Sequence, residues 1–238
     1  MNKIGQPDRP AGAARRTLCW SCGGVVEALW LCPQCGTVQP LPPDLDSFAC
    51  LDLPRRLQLD LKQLAECFHE RSRRIHPDFF QTKTAREQAL SLEASARLNQ
   101  AYRTLRDPVE RMAYLIRLET GQQEIAATAP QDLLSEVFEL QEALESYRAG
   151  SAGPEREAAR RQLTEEQQRF QALVAQSEKA LQQLAAKWDQ LADGDAGSER
   201  RQLLDAMQDR LARRTYVMNT LDDIACTLEG RDVKDRRH

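Results

Sequence analysis

The chain has 238 residues, 41% of them hydrophobic and only 5% aromatic, with a formal net charge of −3. That length allows one or two modest domains, the abundance of Ala, Leu, Gln, Glu and Arg favours helix, and the small charge excludes a general attraction to nucleic acid or to anionic membrane. No apolar run approaches the roughly 20 residues that span a bilayer and the start has no signal-peptide hydrophobic region, so an intracellular protein with no membrane partner is expected.

Residues 1–18 are rich in Pro, Gly, Ala and Arg with little to bury, which predicts a disordered tail. Four of the seven cysteines follow at once, as Cys19-Trp20-Ser21-Cys22 and Cys32-Pro33-Gln34-Cys35, each pair trailed by a glycine. Each pair can form a knuckle in which two thiolates approach one metal while the glycine permits the tight turn. The nine residues between the pairs suffice for a short hairpin, for which Val25 to Leu31 supply strand-prone residues. Four soft ligands and a closed geometry suit one structural zinc ion over residues 19–40, and four cysteines leave no open position for catalysis. A redox role for either pair is the alternative, against which the doubling argues. The other three thiols, Cys50, Cys67 and Cys226, lie in helix-like or apolar segments and are expected to be buried and inert.

Pro40 to Pro43 read as a linker, and a short helix over Phe48, Leu51 and Leu53 ends before Pro54. The next helix opens on Asp60, with Gln63 completing a capping box, and carries Leu61, Leu64, Phe68 and Ile75 at helical spacing. Lys62, His69, Arg71, Arg73 and Arg74 are left to the wetter faces. Pro77 cannot continue that helix, so His76-Pro77-Asp78 forms a loop at the tip of a helical hairpin. The return helix begins with a second capping box, Thr84 with Glu87, and is expected to bury Ala89, Leu92, Leu98, Tyr102 and Leu105. Asp107-Pro108 starts a fourth helix, which Gly121 stops. His76 beside a carboxylate can be read as a general base, but no nucleophile, phosphate loop or second histidine accompanies it, so the chain is not expected to be an enzyme.

After a linker over Gln122 to Ala129 come three long segments with apolar steps of three and four. Leu133, Val137, Leu140, Leu144 and Tyr147 mark the first, Leu163, Phe170, Val174, Leu181, Leu184, Trp188 and Leu191 the second, and Leu204, Met207, Leu211, Met218, Leu221 and Leu228 the third. Short Gly-rich breaks predict that the three fold back on one another as an antiparallel bundle. Leu134 and Phe138 lie about 100° round from the first seam, among Glu136, Glu139, Glu142 and Glu145. They form either one edge of a wide core face or an exposed apolar strip with an acidic rim, the mark of a binding site.

The hairpin carries the features of a J-domain: the tripeptide, a basic run before it, Phe79-Phe80 after it, then Leu98-Asn99-Gln100-Ala101-Tyr102 and Asp107-Pro108 with Arg111-Met112-Ala113-Tyr114-Leu115. From Phe48 onward the sequence resembles the HscB family, the J-type co-chaperones of iron-sulfur cluster assembly. In the bundle, Asp132 to Leu144 resembles the family's client-binding helix, and Arg214-Thr215-Tyr216 the place of an aromatic residue on its last helix. The four-cysteine element resembles the N-terminal metal motif of animal mitochondrial members. The resemblance implies an all-α chain with a four-cysteine zinc knuckle at 19–40, a J-domain at 46–121 and a three-helix client-binding bundle at 130–230. It implies that His76, Pro77, Asp78, Arg71 and Arg74 meet a 70-kDa heat-shock chaperone of the HscA/DnaK type and stimulate its ATPase. It implies further that Leu134, Phe138, Glu139, Glu142 and Tyr216 hold the scaffold protein IscU. With no transit peptide evident, a bacterial cytoplasm is expected, the mitochondrial matrix being the alternative. Two rival functions are weighed. A general protein-folding J-protein would carry a Gly/Phe-rich linker and a β-rich peptide-binding domain, both missing here. A nucleic-acid-binding zinc protein would need basic residues at the cysteines, whereas residues 19–40 contain no Lys or Arg.

Overall fold

A computed structural model describes residues 17–27, 30–122, 134–150, 153–191 and 197–231, the side chains of 134–137 excepted. The chain divides into two compact units, Met1–Thr120 and Gly121–His238. Among the described residues there are seven α-helices and one two-stranded sheet, and no helix is long and apolar enough to cross a membrane.

The first unit begins with β1 (Thr17–Leu18) paired antiparallel to β2 (Val25–Val26), Leu18 facing Val25. The expected tail therefore ends sooner than composition suggests, because Thr17 and Leu18 find a ladder partner; the rest of it lies outside the described residues. The hairpin also differs from expectation. It does not run between the cysteine pairs: β1 and β2 flank the first pair, and a bridge between Leu31 and Val38 flanks the second. Each pair thus closes its own hairpin, because each is followed by a glycine with φ near +72°, a backbone conformation costly for other residues.

Helix α1 (Ser47–Cys50) is capped by Asp46, whose Oδ1 accepts from the Ala49 amide at 2.9 Å while Oδ2 takes the Arg55 guanidinium. Helix α2 (Leu61–Ile75) starts at Asp60, which accepts from the amides of Lys62 and Gln63. Helix α3 (Ala85–Arg106) starts at the capping box of Thr84 and Glu87, both reciprocal bonds present. Helix α4 (Pro108–Thr120) follows Asp107, whose Oδ1 accepts from Val109 and Glu110, and ends at Gly121 with φ +73°. Leu64, Ile75, Leu98, Leu105, Leu115 and Ile116 are almost wholly buried between them, with Phe48 and Leu51 beneath.

Two expectations for this core fail. Ala89 and Leu92 are exposed, Leu92 by 64%, and Ser91, Ala94 and Ala101 take the inner face of α3 instead. Small residues there let α2 and α3 approach, and Ser91 satisfies itself by donating its hydroxyl to the Ile75 carbonyl at 2.7 Å. Leu61 is exposed as well, being in the first turn of α2. Of the thiols expected to be buried, only Cys50 is; Cys67 and Cys226 are half-buried.

On α3, residues Arg86, Leu90, Glu93 and Arg97 recur at steps of four, three and four and so form one stripe, about 140° round the helix from Ser91. Both ends of the stripe hold the N-terminal segment. Arg86 lies over the Trp20 ring at 4.2 Å, and Arg97 donates to the carbonyls of Pro42, Pro43 and Leu45 at 3.0, 3.5 and 3.4 Å. The cysteine element is therefore docked along the side of α3 away from α2. Arg111, buried to 6% exposure, closes the base by donating to the carbonyls of Leu57 and Leu105.

The second unit consists of α5 (Leu134–Ala149), α6 (Pro154–Leu191) and α7 (Gly197–Leu228). Leu140, Ala143 and Leu144 of α5 share a core with Leu163 and Phe170 of α6 and Val217 and Ile224 of α7. On α6 the expected seam holds at Leu163, Phe170, Leu181 and Trp188, while Val174, Leu184 and Leu191 are half-buried at its edge. On α7 it holds from Leu204 to Leu211 and then turns. Successive steps of three place Arg214, Val217 and Thr220 next, each lagging the helix by about 60°, so Met218, Leu221 and Leu228 become flanking residues. Arg214 in the seam pairs with Glu178 at 3.1 Å, its Nε buried without a partner among the described residues. Residues 123–129 of the expected linker and the break before Gly197 lie outside the described residues, as does Leu133.

Candidate functional site

Three groups of residues are candidates for function, and each is built differently. The first is the hairpin tip. His76 caps α2 with φ −59° and ψ +132°, the extended conformation that a following proline imposes. The expected loop is a single 3₁₀ turn, Pro77–Phe80, with Pro77 at its first position, where a missing N–H costs nothing. Within it the Asp78 amide donates to His76 Nδ1 at 3.3 Å, Asp78 Oδ1 accepts from Gln81 at 3.3 Å, and the Phe79 ring stands edge-on to the imidazole. Phe80 is buried and anchors the turn, whereas Phe79 is 63% exposed. From outside, Ser91 and Ser95 hold the Ile75 carbonyl, and Gln88 donates to the carbonyls of Gln81 and Lys83. The tripeptide is thus presented to solvent on a backbone fixed from α3, although it has no core of its own.

The basic residues near the tip are not equivalent. Arg73 and Arg74 are exposed and have no ion-pair partner among the described residues. Arg71 is half-buried, its guanidinium 3.9 Å from Asp52 and donating to the Cys67 carbonyl at 3.3 Å.

The second group is Cys19, Cys22, Cys32 and Cys35, whose sulfurs all lie within 4.8 Å of one another. Cys19 and Cys35 Sγ are 3.7 Å apart and Cys22 and Cys32 Sγ 3.8 Å. A tetrahedron of thiolates with metal–sulfur bonds of about 2.3 Å has edges of about 3.8 Å, so the donor set fits one tetrahedral ion. The two halves repeat each other: Cys19 N donates to the Gly24 carbonyl and Cys32 N to that of Thr37, while Gly23 and Gly36 donate to the carbonyls of Cys19 and Cys32. Hydrogen bonds from the Cys22 and Ser21 backbone, with Gln39, lower the Cys19 thiol to about 6. The Thr37 hydroxyl and backbone lower Cys35. The Gly24 backbone bond lowers Cys22, but the neighbouring sulfur of Cys35, burial and the other thiols outweigh it and raise that group to about 11. Such a set binds metal by releasing protons, so the ion is held more tightly as pH rises.

The third group is on α5. Phe138 is 69% exposed, with Glu139 and Glu142 exposed beside it, while Leu140, Ala143 and Leu144 make the core. Of the two readings of this face, the exposed one holds for Phe138. The Leu134 side chain lies outside the described residues. Tyr216 on α7 is half-buried, its phenol raised by that burial, and it adjoins Val217, which shares the core with Leu140. Residues that sequence reasoning did not single out include Ser91, Ser95, Gln88, Thr37 and Gln39. Their signal was weak, since Ser91, Ser95 and Gln39 act on groups 16 to 20 residues away and the bonds of Gln88 and Thr37 follow no motif.

No family model matches the chain. It is 32% identical over 155 residues to the iron-sulfur cluster co-chaperone protein HscB of Mus musculus, covering 62% of this chain and 66% of that one. To the human protein of the same name it is 36% identical over 104 residues, 42% of this chain and 44% of the relative. To the co-chaperone protein HscB of Proteus mirabilis it is 37% identical over 75 residues, 32% and 43% of the two chains. The matched stretches therefore span less than two thirds of these relatives. The fold extends the likeness. The crystal structure of human HscB aligns with a TM-score of 0.59 over 88% of this chain and 97% of that one, at 24% identity. The chaperone HscB from Vibrio cholerae aligns with a TM-score of 0.54 over 78% and 98%, at 25% identity. In sequence and in fold the chain is similar to HscB co-chaperones.

Proposed function

We propose that the protein is a non-enzymatic co-chaperone of iron-sulfur cluster assembly, which binds the scaffold protein IscU and delivers it to a 70-kDa heat-shock chaperone of the HscA/DnaK type. The observation that carries this reading is the exposed His76-Pro77-Asp78 turn, fixed from α3 and flanked by the exposed cations Arg73 and Arg74, in a chain similar to HscB co-chaperones. In this reading the tripeptide meets the chaperone and raises its ATPase activity, and the exposed guanidiniums of Arg73 and Arg74 steer the encounter with an acidic partner surface. Arg71, held by Asp52, contributes more to shaping the face than to steering. The relatives that match come from animals and bacteria alike; the bacterial cytoplasm is the compartment we assign, with the mitochondrial matrix as the alternative.

We assign one structural zinc to Cys19, Cys22, Cys32 and Cys35, because the sulfur spacings suit a tetrathiolate site and the apolar cluster among the described residues of this segment is small, two of its three members being Cys19 and Cys32. Client binding falls to Phe138, Glu139 and Glu142 on α5, with Leu134 preceding and Tyr216 on α7. An aromatic ring left in water among acids gains most when a partner covers it.

Replacing His76 by Gln is expected to abolish ATPase stimulation while the helical circular dichroism stays unchanged. Full stimulation by that variant overturns the chaperone assignment. Truncating Phe138 to Ala is expected to weaken scaffold binding by about 2 kcal/mol, the scale of an aromatic anchor, with little loss of stability. Calorimetry against the scaffold and a melting curve on the same sample check it.

A further inference from the structure

The four-thiolate site poses a charge problem that its own segment does not solve by ion pairing. Four thiolates around a divalent ion leave two negative charges, yet residues 19–40 contain no Lys or Arg. The cation docked on this segment, Arg86, lies over the Trp20 ring. Charge must then be spread through hydrogen-bond donors, which a metal-bound thiolate accepts readily.

The donors are unevenly placed. Cys35 has the Thr37 hydroxyl 3.2 Å away, from its own hairpin. Cys22 takes the Gly24 backbone N–H, but the side chain of Gln34 presents Oε1 to it at 3.9 Å, which as an acceptor brings no relief to a thiolate. Cys19, on the first hairpin, receives the Ser21 amide at 3.4 Å and the side-chain amide of Gln39 at 3.3 Å. Gln39 lies outside both cysteine pairs, 20 residues from the ligand it meets, and is only 5% exposed. Its orientation is not free: Nε2 also donates to the Thr37 carbonyl at 2.8 Å, so two acceptors on one side require the NH2 group there. Its backbone N–H donates to Trp30 at 2.9 Å, and the bridge between Leu31 and Val38 sets the register that carries the side chain across.

Resting on the reading of this site as a metal centre, we propose that Gln39 is a positioning residue for the metal: its amide donates to the Cys19 sulfur across the two hairpins and thereby sets how tightly the ion is held. The donor lowers the charge on one ligand and ties the second hairpin to a ligand of the first. Loss of one such donor lowers metal affinity on the order of 10- to 100-fold.

The experiment uses the full chain and two variants. Gln39→Leu removes the donor and keeps the bulk; Gln39→Glu keeps the shape and puts a carboxylate against the thiolate. Zinc affinity is read by chelator competition at neutral pH, and the thiolate itself by the sulfur-to-metal charge-transfer band of the Co2+ form. The expected order of affinity is wild type, then Leu, then Glu, with Leu about 10- to 100-fold weaker than wild type and its band moved to lower energy. A residue that merely fills space gives the opposite order for the two variants, since glutamate is the closer shape. That result, or an unchanged affinity and band in the Leu variant, overturns the proposal. A wild-type chain that binds no metal overturns the metal reading itself, which the first titration shows before any variant is made.

Discussion

The cysteine element and the helical hairpin belong to one compact unit, yet they are held together in contrasting ways. The hairpin and its neighbouring helices bury Phe48, Leu51, Leu64, Ile75, Leu98, Leu105, Leu115 and Ile116 to within 1% exposure. The cysteine element buries a cluster of three residues, two of them cysteines of the proposed metal site: Cys19, Val26 and Cys32. Where side chains fill a core, order is spread over many contacts; where they do not, it falls to the proposed metal centre and to the contact of Arg86 from α3 with Trp20. The surfaces proposed to meet partners follow the same division. The tripeptide draws its rigidity from helix packing, and nothing in its hydrogen bonding passes through the sulfurs.

The sharpest way to break this contrast is to strip any metal from the proposed four-cysteine site. Binding to a structural tetrathiolate site is worth about 10–16 kcal/mol, so chelation is expected to abolish amide-exchange protection across residues 19–39. The amides of α2 and α3 are expected to keep theirs; joint loss would show one cooperative unit and end the distinction. The converse test is Leu98→Ala, which empties a buried position of α3 and is expected to cost about 2–5 kcal/mol of helical stability. Metal stoichiometry should stay the same, as measured on the folded variant.

The smallest effect separates the two kinds of thiol. Burial pushes Cys50 up to about 12, whereas an unfolded thiol titrates near 8.5. Above that unfolded value the unfolded chain gives up a proton that the folded chain keeps. Stability is therefore intact below pH of about 8.5 and falls as pH rises toward the folded value, by up to about 1.4 kcal/mol per pH unit. Denaturation midpoints at two alkaline pH values are expected to diverge less in Cys50→Ala than in wild type. In the metal-free chain the Cys19 thiol has the opposite sign, its folded value being depressed, so its contribution is lost as pH falls through about 6.

Much of this was legible in the sequence because local rules act within a few residues. Thr84 and Glu87, Asp107 and Pro108, and Gly121 set helix ends where expected, since each signal is satisfied by neighbours in the chain. The paired cysteines named their own cluster for the same reason. The failures came from partners far apart in the chain. Ser91 reads as a polar residue for the outer face, and Leu92 as core, until the Ile75 carbonyl at the end of α2 is seen to need a donor. Arg214 interrupts an apolar seam that simple stepping carries through Met218, because Glu178 of α6 compensates it. Gln39 carries no local pattern at all; its role exists only once two hairpins face each other.

The contact between Arg86 and Trp20 has a practical consequence. The indole has its N–H fixed on the Val38 carbonyl at 2.8 Å and one face beneath a guanidinium, so its surroundings change as soon as the cysteine element leaves α3. The chain has only two other tryptophans, Trp30 and Trp188. With those two replaced by Phe, the emission of a single native fluorophore would follow docking and release of the N-terminal element in real time, with no dye attached.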